Sequence, residues 1–260
     1  MAALVDQVQA TIEQHGTPLQ LIEFYQVLSR VAFRRDTFHI SDETLGHLRT
    51  ALAMAQNLGD PTKTTETLFS YGFAMLWHGD VEPAILTLQS AFESAERIGN
   101  SLLKTQALAY WTIAERRRGC LEQARTLVGP GLAAAQSVQR DDYIGVALGN
   151  QAWLAWRDGK PDEARTLGLA ALTHLNQLAM TYPFHWIVLL PLIAARVAQA
   201  EIEPALGYAR TLLEPGQLRL PTPVTTALQD AIRAWEEGQP EAAKLHLEQV
   251  IAHAQAARYL

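Results

Sequence analysis

Arginine and tryptophan carry the chemistry that this sequence can do. Arg116, Arg117 and Arg118 stand in a row, Arg157 follows Trp156, and six tryptophans run from Trp77 to Trp235. A guanidinium grips a carboxylate or phosphate with two parallel hydrogen bonds, or stacks on an aromatic ring. Tryptophan and arginine are also the types most enriched in binding hot spots. Catalytic groups do not gather in the same way. GDPTKTT (59–65) has the lysine and threonines of a phosphate loop but lacks its second glycine and a preceding strand, so it reads as a loop between helices. His246 and His253 lie seven apart, and the eight histidines show no metal-binding spacing, so neither metal nor cofactor is expected. Cys120 follows a turn glycine and three arginines, but a thiol with no histidine near it in sequence is expected to be inert. Glu115 is expected to pair with the neighbouring arginines. Tyr182, His185 and Trp186 in YPFHW form an aromatic junction, read as a packing plug ahead of a pocket edge. No acid–base or nucleophilic set converges, so the chain is not expected to be an enzyme.

The elements that position the arginines and tryptophans follow from a repeat. Gly79, Gly119 and Gly159 are 40 residues apart, Gly238 continues the series, and Ala200 takes the same place one residue off register. Five residues after each comes an alanine: Ala84, Ala124, Ala164, Ala205 and Ala243. A fixed period in this range marks a solenoid. Each period holds two amphipathic runs with apolar residues at three- and four-residue spacing, joined by a glycine or polar turn. Pro83, Pro161, Pro204 and Pro240 suit the first turn of a second helix, where a missing N–H costs nothing. The small alanines let the paired helices lie close. Helical hairpins are expected near 20–58, 64–99, 103–139, 143–179, 185–213 and 224–256, after a leading helix at about 3–15. They are expected to form one domain over 1–260. The junction LEPGQLRLPTPV, with three prolines, marks a kink or weak subdomain boundary near 213–224.

Composition narrows the partners. With 48% hydrophobic residues the chain can bury a substantial core, and a net charge of −6 argues against nucleic-acid or membrane-surface binding. One cysteine excludes an internal disulfide and fits the cytoplasm. The first residues lack a basic stretch followed by a long apolar run, so no signal peptide is expected. The apolar stretch 187–198 is too short to span a bilayer and contains Pro191.

Gly72, Gly79, Ala84 and Ala91 match four positions of the tetratricopeptide repeat (TPR), and Ala152, Gly159, Ala164 and Ala171 are the next best set. Leu68, Leu108 and Leu148 stand where that family usually has tryptophan, and its usual period is shorter than 40. The chain therefore resembles a long-period TPR variety. With FRRDTFHISDETL, LWHGD, WLAWRDG and YPFHW, it is similar to the C-terminal repeat region of MalT-like bacterial signalling ATPases that carry LuxR-type or cyclase modules. The resemblance implies an all-α fold: a right-handed α-solenoid of about six antiparallel hairpins, first helices lining the concave face. Counting back from each turn glycine, Phe33, Phe73, Trp77, Ile113, Arg116, Arg117, Trp153, Trp156 and Arg157 are expected to face that groove. Tryptophans at helical spacing also serve as core between hairpins, and the arginine run also suits a solvated helix end. The expected function is a non-catalytic recognition or regulatory module. It would bind a peptide, a partner protein or a small anionic effector, as part of a bacterial signalling or transcription-regulating ATPase. The alternative is a scaffold that stacks on other copies or on a larger chain.

Overall fold

The computed structural model describes residues 2–260, with side chains from Val8 onward. Every regular element among the described residues is an α-helix. A leading helix α1 (Ala2–His15) precedes the pairs α2 (Pro18–Arg35) with α3 (Asp42–Leu58) and α4 (Pro61–His78) with α5 (Val81–Arg97). Then come α6 (Ser101–Arg118) with α7 (Leu121–Ser137), and α8 (Asp141–Arg157) with α9 (Pro161–Leu175). The last pairs are α10 (Trp186–Ala198) with α11 (Ile202–Leu212), and α12 (Thr222–Glu236) with α13 (Pro240–Ala256). The expected hairpins lie where the repeat put them. Two compact units divide the chain, Met1–Ala114 and Glu115–Leu260; the 213–224 junction lies inside the second.

Chain reversal is written at intervals of 20 residues. Gly59, Gly79, Gly99, Gly119, Gln139 and Gly159 all have positive φ, and Ala200, Gly238 and Arg258 continue the series off register. A left-handed residue ends a helix by letting the next N–H reach back over the last turn. Asp80 N bonds Met75 O at 3.0 Å, Lys160 N bonds Ala155 O at 3.0 Å, and Gln239 N bonds Ala234 O at 2.9 Å. The 40-residue glycine period is thus two helix lengths, and Ala200 does stand in for glycine, at φ 59°. Helix starts are fixed by Thr17, Ser41 and Asp60, whose side chains accept from Gln20, Thr44 and Lys63 N–H groups. In GDPTKTT only Gly59 and Asp60 lie between helices. Pro61 opens α4, so the lysine and threonines are helical rather than loop.

The five recurring alanines are all fully buried. Glycines inside helices set the closest approaches. A Cβ on Gly72 would meet Leu88 Cγ at 3.0 Å, one on Gly149 would meet Val188 Cγ2 at 2.7 Å, and one on Gly168 would meet Leu192 Cγ at 2.6 Å. In the second unit α8 packs on α7 and α9, and α10 packs on α8 and α9. The last hairpin breaks this order. Its second helix, α13, packs on α10, while α12 meets α11 and α13. The change follows the proline-rich junction, which buried residues tie down. Gln217 Nε2 donates to Tyr182 O at 3.1 Å, and Leu218 N donates to Pro183 O at 2.8 Å. With α13 against α10, the last residues return to the end of α6.

Candidate functional site: an arginine between tryptophans

Arg116 occupies the last turn of α6 and is 1% exposed. The solvated helix end that a run of three arginines suggests does not hold for it. Its guanidinium lies 5.0 Å from the Trp153 ring of α8 and 4.9 Å from the Trp186 ring of α10. Nη1 donates to Asn150 Oδ1 at 3.2 Å and to Ile187 O at 3.0 Å; Nη2 donates to Tyr259 O at 2.6 Å. Ile187 O is free to accept because the residue four positions on is Pro191, inside α10, which has no N–H to give it. No carboxylate among the described residues ion-pairs with Arg116, and its Nε, buried, has no hydrogen-bond partner. Burial first, and the like charge of Arg117 second, push its pKa well below the ordinary arginine value. Burial of a cation with no counter-ion is costly, and it is offset here by carbonyl dipoles and two aromatic faces.

The stack continues outward. The Tyr259 ring lies 4.7 Å from Trp186, nearly edge-on, and the Arg117 guanidinium covers it at 3.9 Å. Arg258 Nη1 donates to Arg118 O at 2.7 Å. Arg118 in turn pairs with Glu115 at 2.5 Å, the pairing expected from their adjacency. Arg117, Tyr259, Trp186, Arg116 and Trp153 therefore form one stack in which two cations and three rings touch in turn, with Tyr259 supplied by the last residues described.

The other expected residues fall into separate places. Trp156 is half-buried and Arg157 exposed; both line an open cleft of about 430 Å³ with Gly159, Pro161, Ala198 and Gln255. In the first unit Phe33, Phe73 and Trp77 form an aromatic row: Phe33 to Phe73 is 5.1 Å and Phe73 to Trp77 is 6.0 Å. Tyr110, not anticipated, joins it 4.7 Å from Phe73. Ile113 is fully buried and has no surface to offer. All six tryptophans lie in first helices, and Trp77, Trp153 and Trp186 are buried, which is the core role that helical spacing allows.

In YPFHW, Tyr182, Phe184, His185 and Trp186 are buried as a plug, and His185 also edges a cleft of about 510 Å³ with Leu175, Leu189 and Tyr208. His185 Nδ1 accepts from Gln217 Nε2 at 2.9 Å, and burial pulls its pKa down against the raising effects of the Tyr182 backbone, Gln217 and Glu214. Among the described residues no group of three His, Cys, Asp or Glu side chains could hold a metal, and no helix is long and apolar enough to cross a membrane. Sequence reasoning missed Asn150, Ile187 and Tyr259. Pro191 was the one local signal, since a proline inside a helix frees the carbonyl four residues back.

No family model matches the chain, and no curated protein matches its sequence. Solved structures do match. A Rap protein complexed with competence and sporulation factor superposes with a TM-score of 0.69 at 13% identity, over 98% of this chain and 69% of that one. NprR in complex with its cognate peptide NprX gives 0.63 at 14% identity, over 97% and 65%. BtubC (BKLC) from P. vanneervenii gives 0.59 at 16% identity, over 80% and 84%. The fold is a TPR-like helical repeat of the α-solenoid class. The TPR-like hairpins supply the first-helix residues described above, and the arginine cage is built on three of them, α6, α8 and α10.

Proposed function

We propose that this chain is a non-catalytic recognition module that binds an extended peptide segment of a partner on the face built by its first helices. The observation that carries this reading is the Arg116 cage. It already holds a stretch of polypeptide, accepting the Tyr259 ring between Trp186 and Arg117 and bonding the Tyr259 carbonyl. The likeness to NprR with its cognate peptide and to a Rap protein with competence and sporulation factor supports it. Arg117, Trp156 and Arg157 in the second unit are the proposed contact residues, and the partly exposed Phe73 marks a separate candidate patch in the first; Phe33, Trp77, Ile113 and Trp153 are buried and serve as core. The candidate acid–base groups are otherwise engaged, Glu115 with Arg118 and His185 with Gln217, which favours binding over catalysis. On this reading the module works in the cytoplasm as the sensing part of a bacterial signalling or transcription-regulating ATPase, and a small anionic effector is an alternative ligand.

Selection of random displayed peptides on the immobilised chain tests the reading. Enriched peptides should carry an aromatic residue and net negative charge, and Trp156→Ala or Arg157→Glu should weaken their binding in solution by about tenfold, a usual hot-spot loss. A selection that enriches nothing, or peptides indifferent to every first-helix substitution, would contradict it.

A further inference from the structure

The Arg116 guanidinium is only partly used, and the unused part has a definite shape. Nη1 is satisfied by Asn150 and Ile187. The opposite edge, Nε with Nη2, is the fork that takes a carboxylate side-on. It meets a single neutral oxygen, Tyr259 O, through Nη2, and Nε is left buried without a partner. A carbonyl supplies one oxygen where the fork and the uncompensated charge call for two oxygens and a negative charge. The ring of Tyr259 fills the neighbouring slot between Trp186 and Arg117. The present occupant therefore fits the aromatic half of the cage and underfills the charged half.

We infer that the cage is a carboxylate-binding site for a peptide that carries an aromatic ring beside its carboxylate, and that residues 258–260 of this chain are an intramolecular occupant which such a peptide displaces. The inference rests on the peptide-recognition reading above. Three features make displacement feasible. The segment is short and lies beyond the end of α13, held by the Arg116 and Arg258 side-chain bonds, by its N–H groups on Gln255 O and Ala254 O, and by the buried Tyr259 and Leu260 side chains. Its turn residue, Arg258, has φ 60°, a conformation that costs a non-glycine residue free energy. The exchange replaces a neutral hydrogen bond by a charge-assisted bidentate pair. While tethered to α13, the segment competes at an effective concentration on the order of millimolar, so it masks the cage from weak ligands.

The test is calorimetric titration of the parent chain and the double variant Tyr259→Gly, Leu260→Gly, which removes both buried anchors. The probes are acetyl-Ala-Arg-Tyr-Leu as the free acid, the same peptide as the C-terminal amide, and acetyl-Ala-Arg-Tyr-Glu-amide. The free acid should bind the double variant about tenfold more tightly than it binds the parent, and about tenfold more tightly than the amide does. If an acidic side chain is the natural source, the glutamate peptide matches or exceeds the free acid; if a chain terminus is, the free acid leads. Equal binding of acid and amide, equal binding by parent and variant, or binding that survives Arg116→Gln overturns the inference. Thermal melts check that the variants fold. Should the double variant unfold, Arg258→Ala, which removes the bond from the resident segment to Arg118 O and no group of the cage, must raise affinity for the free acid in the same direction, and an unchanged affinity overturns the inference. Displayed peptides that bind the parent but ignore Arg116 and Tyr259 would leave the recognition module standing without this site, whereas a selection that enriches nothing removes that reading itself.

Discussion

Arg116 Nη2 donates to the main-chain carbonyl of Tyr259 at 2.6 Å, joining two residues 143 positions apart. The contact makes the burial of one depend on the return of the other. Without the re-registered last hairpin the end of α6 would face solvent, and the arginine run would be the ordinary helix terminus that its sequence suggests.

Stability should therefore depend on this one arginine. Arg116→Gln removes three hydrogen bonds and two ring contacts from a site without water access, and should lower unfolding free energy by about 2–4 kcal/mol. Arg116→Lys should also lower it, because a point charge cannot serve two carbonyls and two rings in one plane. Urea unfolding would register either as a lower midpoint at unchanged slope.

Close helix approach predicts opposite signs for formally identical changes. Gly149→Ala and Gly168→Ala drive a Cβ to within 2.7 Å of Val188 and Leu192, and should cost about 1–3 kcal/mol. Gly46→Ala and Gly207→Ala meet nothing within 4 Å and should stabilise their helices by about 0.5–1 kcal/mol. Parallel denaturation curves would separate the two pairs.

The left-handed positions that lack glycine should be improvable. Gln139 and Ala200 have φ of 51° and 59°, where a Cβ costs about 1–2 kcal/mol. Glycine recovers that but loosens the unfolded chain by about 0.4–1 kcal/mol. Gln139→Gly and Ala200→Gly should each raise the melting temperature by about 1–3 °C, while Gly159→Ala should lower it.

The buried imidazole predicts an acid-side loss of stability. His185 is held below the ordinary value of 6.5, mainly by burial. Below that pH the unfolded chain takes up a proton that the folded chain refuses, so stability is full above it and falls as pH drops, until the folded imidazole itself titrates. His185→Gln should flatten the difference between pH 7 and about pH 5. An unchanged slope would mean that other groups set it.

Much of the architecture was legible because the repeat is local. A left-handed residue is needed at each reversal and a small residue at each close contact, so Gly79, Gly119, Gly159 and the alanines five residues later recur in the sequence itself. The cage was not legible, because none of its decisive relations is local. Arg116 next to Arg117 and Arg118 has the pattern of a solvated helix end; only the docking of α13 on α10 buries it. Trp153 and Trp186 were picked out as aromatic, yet nothing in their spacing says that a guanidinium lies between them. The return of Tyr259 follows from the packing of α13 on α10, after a junction that the sequence does not encode by any period. Arg258, 20 residues after Gly238, continued the series, but as an arginine it hid the turn it makes.

The central claim is peptide recognition by first-helix residues, and amide hydrogen exchange with and without a selected peptide tests it most directly. The account predicts added protection along α8 and α10, together with faster exchange at the amides of Tyr259 and Leu260, which now bond Ala254 O, as the resident segment leaves the cage. Protection confined to the second helices α9 and α11, or no change anywhere under saturating peptide, would contradict it.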